Sequence, residues 1–226
     1  MLQSAQRLER QITKMVRLDY LLHLPRPDPT NPEQTWPLIL FLHGAGERGS
    51  DLNLVRKHGI PKIAESDRDF PFIAVSPQCP ADSVWDDHVD AVLALLDEVS
   101  AAYPVDADRV YLTGMSLGGY GAWNLAALHP DRFAAIAPIC GGAIAMRGFP
   151  ARVRSLRKVP VWAFHGALDP VVPVNESRSL VEALQACGGN ARLTVYPDVA
   201  HDSWTRTYEN PELYRWFLSH RRQGAG

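Results

Sequence analysis

Short apolar runs alternate with amphipathic segments along most of this chain, and that alternation restricts the possible folds more than any other feature. Trp36–Leu42, Phe72–Val75, Arg109–Thr113, Phe133–Ile139, Val159–Phe164 and Arg192–Tyr196 read as strands, with Val16–Leu24 as a further strand ahead of them. Several are apolar at successive positions, the pattern of strands buried on both faces. Between them, Trp85, Val89, Val92, Leu93, Leu96, Val99 and Tyr103 recur at helical spacing, and Ser83 stands where a cap is needed. Leu117–Leu128, Asn175–Ala186 and Pro211–His220 read as helices, and the prolines between Pro25 and Pro32 impose an extended loop. The order predicts a mostly parallel α/β sheet flanked by helices. In such sheets the chemistry sits in the loops at the carboxyl ends of the strands.

A length of 226 residues suits one domain spanning 1–226. With 46% hydrophobic and 21% charged residues the chain can bury a core, which excludes intrinsic disorder. A net charge of -2 gives no electrostatic footprint for nucleic acid or an anionic membrane, and no apolar run is long enough to span a bilayer. The residues from Met1 to Arg7 lack the apolar stretch of a secretory signal, so a soluble, cytoplasmic protein is expected. Cys79, Cys140 and Cys187 show no metal-ligand spacing and are too sparse for a disulfide framework, so they read as reduced packing groups. No metal or other cofactor is expected.

Gly114-Met115-Ser116-Leu117-Gly118 lies between a predicted strand and a predicted helix. A sharp strand-to-helix turn leaves no room for side chains two residues either side of the serine, hence the glycines. Ser116 is the candidate nucleophile. A serine hydroxyl needs a base, and the base needs a carboxylate to orient it. Of the downstream histidines, His129 sits at a helix end as a polar cap, His220 falls in a solvated tail, and His165 stands where the chain reverses. His201 follows the last strand in a loop that can swing back over the strand ends, and it is the candidate base. Asp169, in the loop leaving a buried strand, is the candidate acid. Asp198 and Asp202 flank His201, but neighbours in sequence rarely face the ring nitrogen. The oxyanion of an acyl-transfer intermediate needs two preorganised N–H groups. Leu117 and Ala45, the latter in the glycine-rich loop His43–Gly49, are the candidate donors, and His43 is expected to hold that loop by hydrogen bonds.

Leu40-Phe41-Leu42-His43-Gly44-Ala45-Gly46-Glu47-Arg48-Gly49, the Gly114–Gly119 segment, His165-Gly166-Ala167-Leu168-Asp169 and Ala200-His201-Asp202-Ser203-Trp204 together resemble the α/β-hydrolase superfamily. More narrowly they resemble its small serine esterases of the phospholipase/carboxylesterase and "predicted peptidase" type, akin to feruloyl esterases and polyhydroxybutyrate depolymerases. The resemblance runs from about Asp19 to the last helix. It implies the α/β-hydrolase fold, a triad of Ser116, Asp169 and His201, and oxyanion donors at Ala45 and Leu117. It also implies that Gln78, in Ser76–Pro80, and Trp85 line the substrate pocket. Residues 1–15 match nothing and receive no role.

Only 18 residues, Gly141–Lys158, stand where many such enzymes insert a helical lid, so minimal or no lid is expected. Arg147, Arg152, Arg154, Arg157 and Lys158 within it read as a solvated basic face rather than an anion site. The expected function is hydrolysis of short-chain or aryl carboxylic esters, with a small-molecule ester as partner, through an acyl-enzyme. A serine peptidase of the same fold is the alternative. A non-catalytic binding protein of this fold is opposed by the presence of every triad member.

Overall fold

The computed structural model describes residues 3–27, 29–144 and 147–222. Met1, Leu2, Asp28, Ala145 and Met146, which the N-terminal, proline-loop and lid-segment readings include, lie outside the described residues.

Seven strands form one sheet: β1 (Tyr20–His23), β2 (Trp36–Leu42), β3 (Ile73–Pro77), β4 (Val105–Met115), β5 (Ala135–Ile139), β6 (Val161–Gly166) and β7 (Ala191–Tyr196). Their spatial order is β1-β3-β2-β4-β5-β6-β7, parallel throughout except that β1 pairs antiparallel to β3. The connecting helices are α1 (Leu52–Val55), α2 (Gly59–Ser66), α3 (Val89–Ala102), α4 (Leu117–Leu128), α5 (Asn175–Ala186), α6 (Ser203–Tyr208) and α7 (Pro211–Leu218).

The uninterrupted apolar run of β2 has the cause expected of it. Leu38, Leu40 and Leu42 point into the core shared with α3, α4 and α5, while Ile39 and Phe41 point into a second core shared with α2, α6 and α7. Both faces are covered, so both sets of alternate residues must be apolar. α4 is apolar nearly all round because it lies between the sheet, the Trp85 turn and the segment before β6.

Several expectations need correction. The first strand is confined to Tyr20–His23, which pairs with Pro77 to Ala74 of β3, one further bond running from Gln78 N–H to Asp19 O. Residues 3–19 have no regular structure, and Leu8, Ile12 and Met15 are exposed. Ser83 does not cap α3; its Oγ lies 2.8 Å from His88 Nε2, and a 3-10 turn over Trp85–His88 precedes the helix. α6 was not expected at all.

Among the described residues no full lid stands before β6. The segment ends in a 3-10 helix, Ala151–Lys158, and Phe149, Val153 and Leu156 are buried in the core against α4 and α5. Arg154, Arg157 and Lys158 are exposed, as a solvated basic face requires. Arg147 instead bonds Asp86 at 2.9 Å and tethers the segment to the Trp85 turn.

Sheet order places the site. After β3 the chain crosses β2 and adds β4 on its far side, so the direction of winding switches between two neighbouring strands. The crevice outside a switch point is where such sheets bind ligands. Leu42 at the end of β2 pairs with Gly114 at the end of β4, which brings the His43–Gly49 loop and Ser116 together.

Candidate active site

Ser116 stands between β4 and α4 with φ 53° and ψ -116°, a conformation that costs a non-glycine residue about 1–3 kcal/mol. The turn is tight enough to account for both flanking glycines. A Cβ on Gly118 would lie 1.9 Å from Leu42 O, and one on Gly114 would lie 2.3 Å from Gly118 O. Both obstacles are backbone and cannot swing aside. Gly118→Ala is therefore expected to destabilise the fold by about 3 kcal/mol or more. A thermal midpoint within about 2 °C of wild type would contradict this steric account.

Asp169 and His201 meet because the loops after β6 and β7 touch. Gly166 makes the contact possible, since a Cβ there would lie 2.0 Å from Ala200 O. Leu168 N–H donates to Val199 O at 3.0 Å and Ala167 N–H to Tyr196 O at 2.8 Å, locking the two loops. His201 Nδ1–H then donates to Asp169 Oδ2 at 2.7 Å, and Ser116 Oγ lies 2.9 Å from His201 Nε2. With Nδ1 protonated, Nε2 is the lone-pair nitrogen and the serine hydroxyl donates to it. Asp169 Oδ1 accepts from Val171 N–H and Val172 N–H, each at 2.9 Å. Burial alone would raise the Asp169 pKa, but the bonds from His201, Val172 and Val171 outweigh it and the net shift is downward.

The other carboxylates near His201 are committed elsewhere. Asp202 caps α6 through Thr205 N–H at 3.1 Å, and Asp198 pairs with Arg206 at 2.8 Å. His129 lies at the C-terminal end of α4. His220, expected in solvent, is half-buried against Trp216, ring centroids 5.0 Å apart, and burial lowers its pKa. Trp204, given no role from sequence, packs edge-on against His201 with ring centroids 5.3 Å apart. Its signal was the adjacent helix start: Asp202 followed by Thr205 is a capping pair that places Trp204 one residue into α6.

The candidate donors stand at two helical starts. Leu117 is the first residue of α4, whose leading N–H groups have no intrahelical acceptor, and Ala45 opens a 3-10 turn, Ala45–Glu47. His43 sets the second. Cys79 N–H donates to His43 Nε2 at 2.9 Å, so Nε2 is unprotonated; Nδ1–H must then donate to Gly44 O, 2.6 Å away. In a trans peptide the next N–H points opposite the carbonyl, so Ala45 N–H is turned away from His43. The Gly44 face reaches the nucleophile, since a Cβ there would lie 3.7 Å from Ser116 Cβ.

Gln78 and Trp85 do not present free side chains to a substrate. Both are buried, at 3% exposure each. Gln78 Nε2 donates to Glu47 O at 2.8 Å and Asp51 O at 2.9 Å, and Trp85 Nε1 donates to His43 O at 2.9 Å. Through these bonds both side chains brace the His43–Gly49 loop, a role that the expectation of pocket lining does not include.

Burial lowers the His43 pKa from 6.5 to about 4, against the bond to Gly44 O, which raises it. Between those values the unfolded chain binds the extra proton, so stability is full above pH 6.5 and falls as pH drops towards 4. The loss from His43 should be on the order of 3 kcal/mol, with His165, also lowered by burial, acting in the same direction. Urea midpoints compared across this window test it; a flat profile would contradict a buried, neutral His43.

The sheet order, with the strained serine after β4, the carboxylate after β6 and the histidine after β7, is that of the α/β-hydrolase fold. The phospholipase/carboxylesterase family model matches residues 68–210, more than half of the chain, and the chain belongs to that family. A thermostable esterase of known crystal structure is 34% identical, with a TM-score of 0.76, covering 91% of this chain and 60% of its own. NocK of Nocardia uniformis subsp. tsuyamanensis, which carries an esterase assignment, is 37% identical over 68% of this chain and 46% of its own length. The bifunctional acetylxylan esterase/xylanase XynS20E of Neocallimastix patriciarum is 27% identical over 83% of this chain and 27% of its own. The chain thus spans less than two thirds of each of these relatives. An acylaminoacyl peptidase of Pyrococcus horikoshii, 16% identical with a TM-score of 0.68, covers 92% of this chain and 40% of its own, and shows the shared fold alone. No described helix is long and apolar enough to cross a membrane.

Proposed function

We propose that the protein is a serine carboxylic ester hydrolase that works through an acyl-enzyme. The observation that carries this reading is the continuous hydrogen-bond chain from Ser116 Oγ through His201 to Asp169 Oδ2. Membership of the phospholipase/carboxylesterase family and the esterase names of its relatives support it.

In the proposed reaction Ser116 Oγ attacks the ester carbonyl carbon as its proton passes to His201 Nε2. Asp169 stabilises the resulting imidazolium without taking a proton. The carbonyl oxygen, now negative, receives Ala45 N–H and Leu117 N–H, with Leu117 at the positive end of α4. The C–O bond to the alcohol then breaks, and the leaving oxygen takes the proton from His201. Water, deprotonated by the same nitrogen, attacks the acyl carbon. Collapse of the second intermediate returns the proton to Ser116 and releases the acid.

The segment before β6 points to short acyl groups, because its Phe149, Val153 and Leu156 are spent in the core rather than over the site. Each enclosed methylene contributes about 0.8 kcal/mol, and a chain that projects into water gains nothing from further carbons. kcat/KM should be highest for acetyl to butyryl p-nitrophenyl esters and fall by octanoyl. A rate that climbs through decanoyl would contradict the short-chain reading. The same panel run beside peptide anilides tests the ester reading itself: faster cleavage of the anilides would replace it with a peptidase.

A further inference from the structure

A second histidine, not used in the reaction above, stands behind the acid. His165, near the end of β6, is wholly buried. Its Nε2 lies 2.9 Å from Val172 O and 3.2 Å from Asp169 Oδ2, the oxygen that also receives His201 Nδ1–H. Neither Val172 O nor a carboxylate can donate, so the proton is on Nε2. Burial, the largest influence on this ring, lowers its pKa against the opposing pull of Val172 O and Asp169, and so keeps the ring neutral. Nδ1 lies 2.8 Å from Ser177 Oγ in α5, itself wholly buried, and the one hydroxyl proton there stands between this nitrogen and Gly141 O, 2.9 Å away.

Asp169 is thereby held at both oxygens. Val171 and Val172 N–H hold Oδ1, while Oδ2 receives His201 Nδ1–H and faces, at 3.2 Å, the His165 Nε2 whose N–H goes to Val172 O. The other titratable groups towards Asp169 are Tyr120 of α4 and Cys140 after β5, both raised by burial and so uncharged, with Glu176 of α5 beyond Tyr120 and Asp202 beyond Cys140.

We propose that His165 is a positioning residue for the reaction: it fixes the orientation of Asp169 and, with its Nε2–H beside Oδ2, limits how strongly that carboxylate stabilises the His201 imidazolium. This rests on Ser116, His201 and Asp169 acting as the triad. The consequence has a definite sign. Losing the second donor leaves more charge on Oδ2, favours the imidazolium, and moves the acidic limb of kcat/KM to higher pH.

Two replacements separate the ring's two nitrogens. The amide of asparagine reaches where Nδ1 was, keeping Ser177 but not Asp169; that of glutamine reaches where Nε2 was and keeps the donor to Asp169. In His165→Asn the acidic limb should rise by about half a pH unit and kcat should fall on the order of tenfold. In His165→Gln the limb should stay at the wild-type position. A limb unmoved in His165→Asn, or moved equally in both, overturns the proposal, since a purely structural role lowers activity without shifting it selectively. If neither variant folds, nitrogen-15 spectra of histidine in the wild-type protein decide: His165 protonated on Nε2 and bare on Nδ1 across the neutral range supports it, and a proton on Nδ1 overturns it. Fluorophosphonate labelling of wild type separates the two failures. No adduct on Ser116 defeats the triad itself, whereas an adduct with an unmoved limb defeats only the role of His165.

Discussion

Ser116→Ala is expected to lower kcat for ester hydrolysis on the order of a million-fold while leaving the protein folded. Among the described residues the hydroxyl bonds His201 Nε2 alone, so its removal takes away the proposed attacking oxygen and one partly exposed hydrogen bond. The strained backbone at φ 53° is kept in place by packing that alanine does not disturb, including Ser116 N–H donating to Ile139 O at 2.9 Å. The thermal midpoint should therefore move by less than about 2 °C. Hydrolysis retained above about a tenth of wild type would mean that a different group attacks the ester.

Asp169→Asn should cost on the order of ten-thousand-fold in kcat, and the reason is a tautomer rather than a lost contact. Oδ1 accepts two backbone N–H groups, so the amide oxygen must take that side and the amide nitrogen must take the place of Oδ2. An N–H donor then faces His201 Nδ1. The ring moves its proton to Nε2, which can no longer accept from Ser116. Asp198→Asn and Asp202→Asn are the comparison. Asp198 only pairs with Arg206 on the surface, where such pairs matter little, and asparagine caps a helix about as well as aspartate. Either should change kcat by less than about threefold; a loss equal to that at position 169 would move the acid to another residue.

How much the sequence disclosed depended on the scale of the feature. β2, α4 and α5 have the bounds that their apolar pattern predicts, because β2 and α4 are buried over most of their length and α5 repeats one buried face through Ser177, Leu180, Val181 and Leu184. β4 begins at Val105, ahead of the predicted Arg109, since Asp106, Ala107 and Asp108 are polar or small and extend beyond the covered part of the sheet. α6 is one and a half turns long, too short for periodicity to register. The hydrogen-bond chain of Ser116, His201 and Asp169 was legible because chain order and loop position limit where a candidate nucleophile, acid and base can sit. The bonds by which Gln78 and Trp85 hold the His43–Gly49 loop were not. A motif tells which residues recur beside a site, but not whether a side chain points into the cavity or grips the loop from behind. His165 illustrates the same limit: its place before Gly166 was evident, but its grip on Asp169 depends on Val172 and Ser177, which only folding brings to it.

The most direct test of Ser116 as the nucleophile of a working triad is its covalent capture. The protein would be incubated with a fluorophosphonate and its intact mass measured, with peptide mapping to locate the adduct. One adduct per chain on Ser116 is expected, formed much more slowly in Asp169→Asn and absent in His201→Ala. An unlabelled wild-type protein, or an adduct on any other residue, would contradict the account.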